Sequence, residues 1–157
     1  MLFETFLGLK YSIEIENFFA NFFILLLSLN KNFLFIEDFF KAFHAQDSTA
    51  LKEFAHPEIK MQSVAIDAKG NTNLSTEDYS GFLKSIASIP KSTKFREELT
   101  DFKINTNGMI ANASTPYRFF LNDELSHCGV NTFQLMKSKG EWKIIYLVDT
   151  RSKLGCK

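Results

Sequence analysis

With 157 residues and 45% hydrophobic content, the chain is long enough to bury a core and fits one main domain. Lysine plus arginine equals aspartate plus glutamate at 18 each, a net charge of zero, which argues against a nucleic-acid partner and a polybasic membrane anchor. Cys128 and Cys156 lie far apart with no C-x-x-C or Cys/His spacing. That argues against a structural zinc site or a disulfide framework and leaves Cys156 as an unpaired tail cysteine.

Phenylalanine is unevenly spread: eleven of its 18 copies fall within Met1–Phe43. The continuous apolar run Phe18–Leu29 is shorter than the roughly 20 residues that span a bilayer, so no stable membrane span is expected. Its flanks lack a basic stretch before it and a small-x-small cleavage site after it. Three readings stay open for residues 1–33: an extra buried or interfacial helix, a degenerate export signal, or a mis-called start. Residence is accordingly cytoplasmic or exported.

From Leu34 the pattern becomes orderly, and residues 34–156 are read as one domain. Ile36, Phe39, Phe40 and Phe43 form one apolar helical stripe opposite Glu37, Asp38 and Lys41. His44 closes that helix, where a solvated positive charge suits the helix dipole. Asp47-Ser48 is expected to cap a short second helix that buries Leu51, Phe54 and Ala55 and stops at Pro57. His56, between this helix and the next strand, is either a pocket residue or a turn residue capping backbone carbonyls. Ile59–Ile66 alternates imperfectly and reads as an edge strand, followed by a loop around Gly70. Ser75, with Asp78 three residues on, is expected to open a third helix that buries Tyr79, Phe82, Leu83 and Ile86.

Three long strands follow. Asn107-Gly108 signals a two-residue hairpin, which pairs Ile104 with Ala111 and Glu98 with Tyr117. One face then carries Phe102, Ile104, Met109, Ala111, Ala113, Thr115, Tyr117 and Phe119, and the other carries Glu97 opposite Arg118. After the Asn122-Asp123 turn, Phe133 and Leu135 have the wrong parity for a plain ladder. A β-bulge near Gly129 is therefore expected, re-aiming His127 or Asn131 toward a cavity. In the last strand, Glu141–Arg151, one face shows Trp142, Ile144, Tyr146 and Val148 and the other Ile145 and Leu147. Two apolar faces imply two coverings: helices on one side and a second copy of the chain on the convex side. The expected fold is α+β, with N-terminal helices packed on a strongly curved antiparallel sheet.

The segments FFKAFHAQD (Phe39–Asp47), AHP (Ala55–Pro57), SIASIP (Ser85–Pro90), TPY (Thr115–Tyr117), SHCGVN (Ser126–Asn131) and WKIIYLVDTR (Trp142–Arg151) together resemble the nuclear-transport-factor-2-like superfamily. That superfamily has a cone-shaped fold and includes SnoaL-like cyclases, ketosteroid isomerases and scytalone dehydratase. Within it, the chain looks more like the bacterial SnoaL-like and lumazine-binding branch, a resemblance that covers about Leu34 to Cys156. It implies a pocket between the helices and the concave sheet, and a dimer across the convex face. It carries over no mechanism, because the carboxylate base and acidic donors of the isomerases have no matched positions here.

Three functional readings follow. A binding domain would hold a small organic molecule against Phe and Met side chains and orient it with His56, Tyr117, His127, Asn131 and Arg151. An enzyme of dehydratase or isomerase type would use His127 as general base, oriented by Asp149 or Asn131, because imidazole titrates near neutral pH. A non-catalytic dimeric module would fill its pocket with its own rings. Asp149 and Arg151, two apart on one strand, suggest an ion pair, and Arg151 could also receive an anionic ligand. The three histidines lack ligand spacing, so no metal is expected, and no cofactor motif is present.

Overall fold

The computed structural model describes residues 33–67 and 69–156. The chain divides into two units, Met1–Lys31 and Asn32–Lys157, and every described residue belongs to the second. The readings made for the apolar run at Phe18–Leu29 therefore lie outside the described residues.

Among the described residues, three helices precede or interrupt the sheet. Helix α1 runs through residues 33–44, and its stripe is buried as expected, with Ile36 fully enclosed and Phe39 and Phe40 nearly so. Asp47 caps α2 (Ser48–Phe54), its carboxylate accepting from the Ala50 N–H at 2.9 Å. The helix ends at Phe54 and the chain passes straight into strand β1 (Ala55–Ile66), so Pro57 lies inside the strand rather than stopping the helix. A proline has no N–H to give a ladder, and the pairing of β1 is irregular between Ala55 and Lys60.

Strand β1 is not an edge. Thr72–Glu77 forms strand β2 against it, with Ser75 opposite Ser63, and takes over the edge position. Ser75 is thus a strand residue rather than a helix cap. The cap of α3 (Tyr79–Ser88) is Asp78, whose side chain accepts from the Gly81 N–H. The short polar run Thr72–Glu77 pairs along β1 with all of its residues exposed, and the helix starts only after it.

The remaining strands are β3 (Phe95–Leu99), β4 (Lys103–Thr106), β5 (Ile110–Leu121), β6 (Glu124–Ser138) and β7 (Glu141–Arg151). The sheet order is β2-β1-β7-β6-β5-β3, with β4 pairing the first half of β5. All pairs are antiparallel except β1 with β7. The architecture is the expected α+β cone, helices on a strongly curved open sheet that is antiparallel apart from this one pair.

Irregularities in pairing decide which side chains face inward. The β4–β5 hairpin pairs Thr106 with Ala111, leaving Asn107–Ile110 as a four-residue connection in which the Asn107 side-chain Oδ1 accepts from the Met109 and Ile110 N–H groups. Met109 is therefore 71% exposed, not on the inner face. The chain breaks between β3 and β4, and β3 pairs one step off the expected register, Leu99 with Tyr117 and Glu97 with Phe119. One step exchanges the faces, so Glu97 points inward.

A bulge does correct the parity of β6, but at Ser126: Phe119 pairs His127, whereas Phe120 pairs Leu125. Tyr117 then faces Gly129 and Thr115 faces Asn131, and both ends of this stretch turn to the concave side. Gly129 has another duty. A Cβ there would lie 1.7 Å from the Thr150 carbonyl oxygen and 3.0 Å from the Tyr117 ring, so only glycine admits the end of β7. A second bulge at Ile145 separates the Leu135–Ile144 pair from Gln134–Tyr146. It places Leu147 on the core side with Trp142 and Ile144, and sends Tyr146 and Val148 to the convex side. The apparent two-faced apolar pattern of this strand is thus partly one face interrupted by a bulge.

Phe133, Leu135, Ile144, Ile36 and Leu51 are fully buried between helices and sheet. Phe39 and Phe40 meet the Phe133 ring edge-on at 5.6 and 6.1 Å, a geometry that adds to the area term. Past Arg151 the chain continues alongside β6, with Ser152 bridged to Cys128. Ser152 Oγ accepts from the Leu154 N–H and turns the tail back, so that Cys156 forms a disulfide with Cys128. Cys156 is therefore not a free thiol. Spacing in sequence cannot reveal a pairing created by strand continuation.

Candidate functional site

The concave face of the sheet and the inward faces of α1 and α3 enclose two adjoining cavities of about 280 and about 370 Å³. Both are bounded by Phe43, Phe82, Glu77, Glu97, Asp149 and Arg151. The inner cavity adds Phe39, Phe40, Phe133 and Asn131, and the outer one adds Phe95, Tyr117, Phe119 and His127. Rings form the walls and a polar cluster forms the floor.

Glu97 is the centre of that cluster. Its carboxylate accepts from Asn131 Nδ2 at 2.5 Å. Burial, reinforced by the nearby Asp149 charge, pushes its carboxyl from the ordinary 4.5 up to about 7; the Asn131 bond and Arg151 only partly oppose this. Asp149 sits opposite Asn131 on β7, and its Oδ2 accepts from Arg151 Nε at 2.6 Å. The Tyr117 hydroxyl donates to the Thr150 carbonyl at 2.9 Å and lies 3.4 Å from Asp149 Oδ2. Burial and the two carboxylates push the Tyr117 phenol up, so it stays protonated and acts as a donor.

Five expected site residues converge here: Tyr117, His127, Asn131, Asp149 and Arg151. His127 reaches the outer cavity, stacked on Phe119 at 4.8 Å, with Nδ1 3.2 Å from Ser126 Oγ. Burial and the Arg151 charge hold its ring below the ordinary 6.5. Asn131 and Asp149 are engaged with Glu97 and Arg151 instead, so neither is positioned as the orienting partner expected for His127. His56 is elsewhere: it lies at the start of β1, where Nδ1 accepts from the Glu58 N–H. It does bond the local backbone, but by accepting an N–H rather than capping a carbonyl, and from within a strand rather than a turn. His44, expected as a solvated cation, instead accepts the Glu97 N–H through Nε2 at 2.9 Å, which requires a neutral ring and ties α1 to β3.

Glu97 is the residue that reading the sequence places on the wrong side. Its identity signals nothing, because Glu97-Glu98 looks like an exposed acidic pair and only the register tells which of the two faces inward. Glu98 is the outward one, bound to Arg96 and Arg118. Among the described residues, no group of three or more His, Cys, Asp and Glu side chains is disposed to hold a metal ion, and no helix is long and apolar enough to cross a membrane.

No family model and no curated protein matches the sequence. Solved structures do match in fold. A nuclear-transport-factor-2-like protein of unknown function from Pseudomonas putida is 18% identical, covers 77% of this chain and 84% of its own, and superimposes with TM-score 0.61. The beta subunit of a candidate aromatic-ring-hydroxylating dioxygenase from Novosphingobium aromaticivorans is 14% identical, with 85% and 95% covered and TM-score 0.65. A candidate dehydratase of the nuclear-transport-factor-2-like family from Streptomyces avermitilis is 14% identical, with 80% and 96% covered and TM-score 0.57. The described domain has the nuclear-transport-factor-2-like fold.

Proposed function

We propose that this domain binds a small, partly apolar organic molecule between α1, α3 and the concave sheet. One observation carries the reading: ring-walled cavities of about 280 and 370 Å³ end on a polar floor of Glu97, Asn131, Tyr117 and Asp149. Apolar walls supply area and the few polar groups supply orientation. The open volume weighs against a module whose rings fill its own pocket. Native mass spectrometry of gently purified protein tests the reading. The expected result is a retained small molecule, released on denaturation and missing from a Ser63→Phe variant that plugs the inner cavity. A wild-type protein that carries nothing and takes up none of a panel of small aromatic compounds would overturn it.

A second reading, acid–base chemistry of dehydratase or isomerase type, is favoured by the Glu97 carboxyl, which is poised at about 7 beside a hydrogen-bond donor. In it, Glu97 holds and releases the proton, the Tyr117 hydroxyl turns from the Thr150 carbonyl to donate to a substrate oxygen, and His127 is a neutral wall residue. The solved candidate dehydratase of the same fold makes the class reasonable without assigning it here. Pairing of two copies through the convex face, where Val130, Thr132, Tyr146 and Val148 lie, is part of the same proposal and is read directly by sedimentation. The Cys128–Cys156 disulfide supports an oxidising compartment over the cytoplasm.

A further inference from the structure

We propose that the ligand of this cavity is an organic amine: an apolar, ring-sized body carrying a protonated nitrogen that sits among Glu97, Asp149 and Glu77. The inference rests on the binding reading above and specifies the chemistry of the ligand.

The charged side chains facing the two cavities come from three strands: Glu77 of β2, Glu97 of β3, and Asp149 and Arg151 of β7. His127 of β6 faces the outer cavity with its ring held toward the neutral form. Helices α1 and α3 contribute rings and no charge to the lining. His44 of α1 touches Glu97 only through the backbone N–H and is neutral there. The acids thus outnumber the single guanidinium, and that guanidinium is already engaged with Asp149 at 2.6 Å.

An anionic ligand could use the terminal N–H groups of Arg151 that Asp149 leaves, but would sit beside Asp149 and face Glu97 and Glu77. This weighs against the anion-receiving role expected of Arg151. A neutral ligand gains only area. A cation meets carboxylates on the floor and ring faces on the walls, and both attract it.

The Glu97 carboxyl is protonated at mildly acidic pH in the unliganded protein. An ammonium beside it favours the ionised form, so amine binding releases a proton and tightens as pH rises through 7.

Three isosteric probes test the inference by amide NMR titration at pH 6 and pH 8: 3-phenylpropylamine, 3-phenylpropan-1-ol and 3-phenylpropanoate. At pH 8 the amine should bind about tenfold tighter than the alcohol, with the acid weakest. The advantage should shrink several-fold at pH 6, and E97Q should show that reduced advantage at both pH values while still binding the alcohol. Equal or tighter binding of the acid, or an amine affinity that is flat with pH, overturns the amine inference and leaves the binding reading intact. If none of the three probes perturbs cavity resonances, the binding reading falls and this inference falls with it.

Discussion

Replacing Glu97 with glutamine should stabilise the protein, by an amount that grows as pH rises from 4.5 through 7. The carboxyl titrates at about 7 in the folded domain against an ordinary 4.5. An acid with a raised value holds its proton longer folded than unfolded. Its contribution is therefore fully present below pH 4.5 and is lost as pH rises toward 7. The difference corresponds to about 3 kcal/mol lost by pH 8. Glutamine keeps the shape and an oxygen that accepts from Asn131 Nδ2, but has no proton to lose. Wild type and Glu97→Gln should thus unfold at the same urea concentration near pH 4.5. Their midpoints should separate progressively, with the variant ahead by about 1–2 M urea at pH 8. Carbon-detected NMR of the Glu97 carboxyl supplies the independent check, a titration midpoint near neutrality. A constant gap across pH, or a variant less stable than wild type at pH 8, would refute the argument that Glu97 is buried at a cost.

Gly129→Ala should cost at least about 3 kcal/mol, because the new methyl would meet the Thr150 backbone oxygen at 1.7 Å and neither strand can yield cheaply; unchanged urea unfolding would show that β7 does not lie against Gly129. Reducing the Cys128–Cys156 disulfide, which spans 28 residues, should cost about 3–4 kcal/mol on the loop-entropy model. Cys156→Ser should reproduce that loss and make the protein insensitive to dithiothreitol; a wild type indifferent to reductant would contradict the pairing. Thr115 is fully buried on the inner face of β5 and its hydroxyl has no hydrogen-bond partner. Thr115→Val should therefore raise stability by about 1 kcal/mol, seen as a higher thermal midpoint, whereas a loss would reveal a hidden partner.

The helices and the long strands are legible because their signals are local. A 3.6-residue stripe at Ile36, Phe39, Phe40 and Phe43 buries the same residues in any fold that uses it. Asp47 announces a helix start by itself. The shared face of Thr115 and Tyr117 is legible too, since a long alternating strand preserves parity between interruptions, and the parity conflict at Phe133 and Leu135 announces a bulge in β6. What fails is everything that depends on where an interruption falls. The inserted residues are Ser126 and Ile145, neither of which looks different from its neighbours, whereas the expected kink at Gly129 is in truth a site of close backbone approach. The break at Thr100–Phe102 shifts β3 by one step, and that single step moves Glu97 from an outward ion pair to the floor of the cavity. The same shift turns attention from a histidine, conspicuous by type, to a carboxylate made conspicuous only by its surroundings. A titratable side chain earns a shifted proton affinity from burial and neighbours, and those are properties of register that residue identity does not carry. The polar floor assembles from β3, β5, β6 and β7, so a pairing error in any one of them would have dismantled it.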